Sequence, residues 1–224
     1  MASTPTRSPA VEDYVKAIYA LQRQGTGPVT NNALAERLGV SAASASGMVK
    51  KLHTLGLVTH EPYRGMELTG DGERIALEVI RHHRLLELYL AETLGVPWDR
   101  VHQEAEVLEH VLSEELEDLI AEKLGHPSHD PHGDPIPTRD GRIDEGDTAS
   151  LESLSPGTKG TFVRVSDSTP AMLRYLSERG IAPGMRLEVL ERQPFHGPLV
   201  VSFAGRVETL GGELTRVMRV EVES

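Results

Sequence analysis

The hydrophobic period of this chain changes once, and that change limits the folds open to it. Up to about residue 124, apolar residues recur every three or four positions, as Val11, Val15, Ile18, Tyr19 and Leu21 do in PAVEDYVKAIYALQRQ. That spacing builds helices with one buried face. From about residue 150 the pattern alternates in GTKGTFVRVSD, GMRLEVLERQ, GPLVVSFAGRVETL and TRVMRVEVE, with one helical run, TPAMLRYLSERGI, among them. Short alternating runs are strands. The segment between, GHPSHDPHGDPIPTRDGRIDEGD, is rich in Pro, Gly, Asp and His and reads as a linker. The chain is therefore expected to be mainly α with a small β domain, the latter an SH3-like barrel.

Within the helical part, Thr30 is placed to cap NNALAERL, and Ser41 to cap AASASGMVKKLHTLG after the turn GVS. Two short helices across a tight turn make a helix-turn-helix. The strand-like runs of LVTHEPYRGMELT around Pro62–Gly65 add a wing. The second helix of such a pair enters the major groove by its N-terminal residues. Here these are Ser41, Ala42, Ala43, Ser44, Ser46 and Gly47, small enough for close approach, with methyls for thymine and hydroxyls for base edges. Lys50 and Lys51 fall nearer the phosphates, and Arg64 on the wing is a further phosphate or minor-groove contact. No Arg, Asn or Gln sits early in that helix, so specificity leans on contact and DNA shape, and a dimer on a palindromic site is expected.

A long helix over 71–93 and another over about 98–124 follow, separated at Val96–Pro97. On the second, His102, Glu106, Glu109 and His110 stand at i, i+4, i+7 and i+8, one stripe of imidazoles and carboxylates. Glu106, Glu109 and His110 suit Mn²⁺, Fe²⁺, Co²⁺, Ni²⁺ or Zn²⁺. One stripe cannot enclose an ion, and Asp13 on the first helix is the candidate for the missing ligand. His83 and Glu87, at i, i+4 on the preceding helix, would join His102 in a second site. His82, His126, His129 and His196 read as surface residues, and Asp130 and His132 as part of a solvated linker.

Charge agrees with this placement. The formal net charge is −11, which is unfavourable for DNA. Residues 1–75 hold 8 basic and 7 acidic residues, residues 76–148 hold 6 and 18, and residues 149–224 hold 9 and 9. The excess sits where the metal ligands are, and cations would offset it. There is no cysteine, which excludes disulfides, zinc-thiolate and iron–sulfur sites. MASTPTRSPA has no apolar signal region and no stretch is long enough to span a membrane, so a cytoplasmic location is expected.

EDYVKAIY, the helix-turn-helix with LGLV and its wing, RHHRLLE, VHQEAEVLEH and DPHGDPIP together resemble the diphtheria-toxin-repressor (DtxR/MntR) family of metal-dependent regulators, over nearly the whole chain. The resemblance implies a winged helix-turn-helix DNA-binding domain over 1–72 and a helical dimerisation and metal-binding domain over 73–127. A linker over 128–150 and an SH3-like (FeoA-like) domain over 151–224 would follow. It implies a primary site of Asp13, Glu106, Glu109 and His110 and an ancillary site of His83, Glu87 and His102. Iron-type members typically carry Met and Cys where this chain has Asp13 and Glu106, so the chain is similar to the manganese branch. Two-domain manganese regulators carry Glu where this chain has Lys16, so the ancillary-site arrangement of three-domain members fits better. There the SH3-like domain donates ligands too, and Asp167 is the acidic residue at that place.

The expected function is a repressor of metal-uptake genes activated by Mn²⁺, or alternatively by Fe²⁺, with Co²⁺, Ni²⁺, Zn²⁺ or Cd²⁺ able to substitute in vitro. Its partners would be palindromic operator DNA and a second copy of the chain, with no membrane and no small organic substrate. The dimer interface is expected on the apolar series Ile75, Leu77, Val79, Ile80, Leu85, Leu86, Leu88 and Leu90. A metal at Asp13 would tie the DNA-binding unit to the middle domain. A metalloenzyme is the weaker reading, since a zincin-type HExxH is missing. A regulator with an organic ligand would need an apolar pocket instead of a carboxylate–imidazole stripe.

Overall fold

The computed structural model describes residues 8–25, 27–61, 64–167, 169–195 and 197–223. The chain divides into two compact units. One holds the chain up to His82 with Glu109–Leu112 and Pro137–Arg142, and the other holds His83–Leu108, Ser113–Ile136 and the chain from Ile143 onward.

In the first unit, α1 (Pro9–Gln24) begins at a proline that needs no helical hydrogen bond there, and buries Val11, Val15 and Ile18. α2 (Asn31–Leu38) is capped by Thr30, whose hydroxyl accepts from the Ala33 amide at 3.2 Å. α3 (Ala42–Thr54) is capped by Ser41, which accepts from the Ser44 amide at 3.1 Å. Both caps are those expected from the sequence. β1 (Val58–Glu61) and β2 (Gly65–Leu68) pair antiparallel from Val58↔Leu68 to Glu61↔Gly65, and Val29 bridges Met66. Gly65 has φ 101°, and a Cβ there would lie 2.7 Å from the Val29 carbonyl, so the wing closes only on glycine. Pro62 and Tyr63, in the expected turn, lie outside the described residues. Ile18, Leu34, Leu52 and Met66 are fully buried in this core, each contributing about 1.5–3 kcal/mol by removal from water. α4 (Gly70–Leu94) starts in this unit and continues into the second.

The expected single helix over 98–124 is two: α5 (Val101–Leu108) and α6 (Glu114–Lys123). Ser113 caps α6, accepting from the Leu116 amide at 3.3 Å, and Glu114, Glu115 and Glu117 fill its first turn. A capped start with acidic residues at the positive end of the helix dipole outweighs continued periodicity.

The β part comprises β3 (Ala149–Ser150), β4 (Lys159–Val165), α7 (Pro170–Glu178), β5 (Arg186–Arg192), β6 (Leu199–Phe203), β7 (Arg206–Leu210), α8 (Gly212–Val217) and β8 (Met218–Val222). All pairings are antiparallel, in the order β3-β8-β4-β5-β6-β7. β3 and β7 remain as edges, so the sheet is SH3-like but not a closed barrel. Phe162 and Phe203 meet edge to face at 6.4 Å in its core, with Leu173 and Leu176 of α7 in the same cluster. α8 was not expected: six residues between strands carry no helical period.

Two further expectations change. Residues 130–137 are not solvated linker: Asp130, His132 and Ile136 are buried. The Asp130 carboxylate accepts from the His132 and Asp134 amides at 2.8 and 2.9 Å, a local turn that the Asp-Pro-His-Gly-Asp run encodes. Arg84 donates to the Pro135 carbonyl and lies 3.5 Å from Asp134. Gly133 has φ 86°, and a Cβ there would fall 1.8 Å from the Val163 carbonyl, so this segment lies directly on β4. The apolar series assigned to a dimer interface, Ile75 through Leu90, is already buried within one chain. Among the described residues, Leu94, Val107, Leu108, Leu116 and Leu119 are the exposed large apolar side chains of α4, α5 and α6. Among the described residues no helix is long and apolar enough to cross a membrane.

Candidate metal centre

α3 buries Ala45, Val49 and Leu52 and leaves Ser41, Ala43, Ser44, Lys50 and Lys51 exposed. Its outward N-terminal face is small and hydroxyl-bearing, with the lysines a turn or more further on. Ser46 is only half exposed and accepts from the Asn31 side chain of α2 at 3.2 Å, which commits it to packing the helix pair. Ser41 is both a cap and a partner of the Ser44 hydroxyl at 2.9 Å. Arg64 is exposed and pairs with Glu61 at 3.2 Å.

One donor cluster lies in the first unit, where Asp13, Glu109 and His110 bring a ligand atom each within 4.8 Å of one another. His110 Nε2 is 2.9 Å from Asp13 and 3.6 Å from Glu109. The other ring nitrogen, Nδ1, donates to Glu12 at 2.6 Å, which aims Nε2 at the cluster. Glu12 is adjacent to Asp13, and the sequence alone does not mark it, because an acidic residue in a first helical turn has an ordinary reason to be there. The Glu109 carboxylate is fully buried and accepts from Lys16 Nζ at each of its oxygens, at 2.8 Å. The His82 ring, read as a surface group, is buried and lies 3.3 Å from the Glu109 carbonyl. α5 ends at Leu108, so Glu109 and His110 belong to the turn after it and pack in the compact unit of α1. Asp13, Glu109 and His110 thus lie in one compact unit.

A second cluster lies in the other unit. His83 Nε2 and His102 Nδ1 stand 3.0 Å apart and face Glu87 Oε1 at 3.0 and 3.3 Å. Asp167, in the loop after β4, meets His102 Nδ1 at 2.9 Å. Glu106 lies with this cluster: its carboxylate is 3.8 Å from both His83 and His102, and it is 43% exposed. Glu87 presents its other oxygen to His132 at 3.6 Å, with Asp130 beside them. That distance is an ion pair, too long for a hydrogen bond. His132 is held by its Nε2 donating to the Trp98 carbonyl at 2.7 Å and by stacking on the indole. The sequence signal for Asp130 and His132 was present in HDPHGD, but its turn-rich composition masked their burial.

The charges here are interlocked. The Asp167 carboxylate, then Glu87, raises His102 to about 10 against desolvation. Burial pushes His132 down, but the facing Glu87 carboxylate outweighs it and takes the group to about 9. Burial likewise pushes Glu87 up, yet the surrounding imidazoles hold it well below the usual carboxylate range. Burial in company with Asp134 and Glu87 drives Asp130 well above its ordinary value.

The donor chemistry fits a divalent metal. Two imidazole nitrogens and two carboxylates converge on one point around His83 and His102, and every donor in both clusters is nitrogen or oxygen. Glu87 Oε2 and His132 Nδ1 are buried, face each other, and have no hydrogen-bond partner among the described residues. Such atoms are costly unless a cation or a proton answers them.

Comparison with known proteins agrees in all three parts of the chain. Residues 7–66 match the N-terminal DNA binding domain of iron dependent repressors. Residues 69–138 match the metal binding and dimerisation domain of the same repressors, and residues 149–222 match the FeoA domain. The chain is 32% identical to the iron-dependent repressor IdeR of Mycobacterium tuberculosis, covering 94% of this chain and 96% of that one. It is 31% identical to the diphtheria toxin repressor of Corynebacterium glutamicum, over 94% and 95%. A manganese-dependent transcriptional repressor solved in complex with manganese superposes with a TM-score of 0.90 at 42% identity, covering 95% of this chain and all of that one. ScaR with bound Zn²⁺ superposes with a TM-score of 0.79 at 29% identity, over 94% and 98%.

Proposed function

The chain belongs to the iron-dependent (diphtheria toxin) repressor family, and on that premise we propose that it represses metal-uptake genes in response to Mn²⁺. It is a metal-dependent transcriptional repressor and not an enzyme. Mn²⁺ is favoured by one observation: the donors gathered around His110 are the carboxylates of Asp13 and Glu109, with no sulfur. Oxygen-rich sites suit Mn²⁺, whereas thiolate and thioether donors select softer ions. Asp13, Glu109 and His110 would hold the primary ion, and Glu12 would fix the imidazole. His83, Glu87, His102 and Asp167 would hold a second ion, with His132 and Asp130 supporting Glu87. A bound ion supplies the fixed positive charge that lets these carboxylates gather in one place.

The working form is a homodimer in the cytoplasm, placing two α3 helices on a palindromic operator. Leu94, Val107, Leu116 and Leu119 offer apolar surface for that contact. Ala43, Ser44 and Ser41 would face base edges, and Lys50, Lys51 and Arg64 the phosphates. The test is operator binding with Mn²⁺, Fe²⁺, Zn²⁺ and chelator in turn. Mn²⁺ should activate at concentrations near those the cell maintains, and chelator should abolish binding. Binding indifferent to chelator would sink the metal reading, and activation by Fe²⁺ but not Mn²⁺ would move the chain to the iron branch.

A further inference from the structure

We propose that Lys16 is an internal competitor for the primary metal site, setting how much metal is needed to load it. The inference rests on reading Asp13, Glu109 and His110 as that site. Lys16 follows Asp13 by three residues on α1, so both project from one helix face. Its ammonium donates to both oxygens of Glu109 at 2.8 Å. The Glu109 side chain is 0% exposed, and that of Lys16 is 20% exposed. A buried carboxylate without a counter-charge is strongly unfavourable, and here a lysine supplies one.

A metal ion at Asp13 and His110 needs the same Glu109 oxygens. The ammonium occupies their lone pairs and repels a dication nearby. Loading therefore requires Lys16 to let go. Its long stem reaches solvent and can carry the charge outward without leaving the apolar surface it covers. The exchange is one cation for another at a fixed anion, so Glu109 is compensated in both states. The site stays folded without metal, and the metal has to work against the lysine. A lysine at this position raises the threshold of the sensor.

The experiment is Mn²⁺ binding by calorimetry on the full-length wild type, Lys16→Met and Lys16→Arg, with thermal melts without metal. Methionine keeps the stem and removes the charge. Lys16→Met should bind Mn²⁺ about tenfold or more tightly at one site per chain, and its metal-free form should melt at lower temperature. Lys16→Arg, which keeps the cation and can pair through two N–H groups, should bind no more tightly than wild type. Should Lys16→Met not fold without metal, Lys16→Met combined with Glu109→Gln should restore the metal-free fold, because charge and partner leave together. Unchanged or weaker Mn²⁺ binding in Lys16→Met, or a double variant no more stable than Lys16→Met, overturns the proposal. If Asp13→Ala leaves the number of bound ions unchanged, the primary-site reading fails as well.

Discussion

The two donor clusters each contain one carboxylate sealed from water, Glu109 and Glu87, at 1% and 0% exposure. They answer the same electrostatic problem differently. Glu109 is compensated by the Lys16 ammonium, which donates to both its oxygens. Glu87 is compensated by His83, His102 and His132, which are cations only while they hold protons. A metal entering the first cluster must move a lysine, whereas a metal entering the second must release protons.

The sharpest way to break this contrast is to disable each cluster in turn. Asp13→Ala should leave fold and dimer intact and weaken metal-activated operator binding by roughly 100-fold, the share of one ion in moving a two-state equilibrium across the dimer. His83→Ala should cost less than that, because the second cluster keeps Glu87, His102 and Asp167. Operator titrations at saturating Mn²⁺ decide it, and equal losses in the two variants would remove the division into a switching and a supporting site.

The next effect is in pH. The His102 and His132 groups lie at about 10 and about 9, above the ordinary 6.5. Without metal, the stability they contribute is fully present below pH 6.5 and is lost as pH climbs through about 9 and then 10. Metal needs the neutral rings, so its affinity for this cluster should rise with pH, by up to about tenfold per unit for each proton released. Calorimetry on Asp13→Ala at pH 6.5 and 8.5, in buffers of different ionisation enthalpy, counts those protons. A pH-independent affinity would show that the imidazoles do not bind the ion.

The smallest change sharpens metal choice. Glu106→Cys should shift the ranking of activating metals from Mn²⁺ toward Fe²⁺ or Co²⁺ by about three- to tenfold, since a thiolate is softer than a carboxylate. An unaltered ranking in the operator assay would place Glu106 outside the ion's coordination.

What could be read from the sequence depended on whether the signal was local. Thr30 and Ser41 act as caps in the structure because a cap is decided within four residues. The strands of the C-terminal sheet are legible in the same way, from alternation alone. Ser113 is equally local, yet a long apolar period runs through it and masks it. The ligand types at His83, Glu87 and His102 follow from helical spacing, and the structure gathers those side chains. Lys16 on Glu109, Glu12 on His110 and His132 against Glu87 join residues 93, 98 and 45 positions apart. No periodicity encodes such pairs, so only the fold reveals them. The apolar residues of α4 misled for a related reason: excess hydrophobicity shows that a helix is covered on several sides, not by what.

The placement of Gly133 against β4 has a consequence for how the chain tolerates change in length. By composition, one site between the helical and the β parts looks as good as another for an insertion. Yet residues 130–137 are tied by the Asp130 turn, by the contacts of Arg84, and by the Val165 amide bonding the His132 carbonyl at 3.0 Å. Residues 138–140 are exposed, and from 141 to 147 exposed and half-buried residues alternate. Added residues would be absorbed there as slack, at a loop-closure cost that grows only slowly with length. One residue added before position 137 would instead pull His132 out of register with Glu87. The chain thus carries its spare length on one side of Pro137 and its measured length on the other.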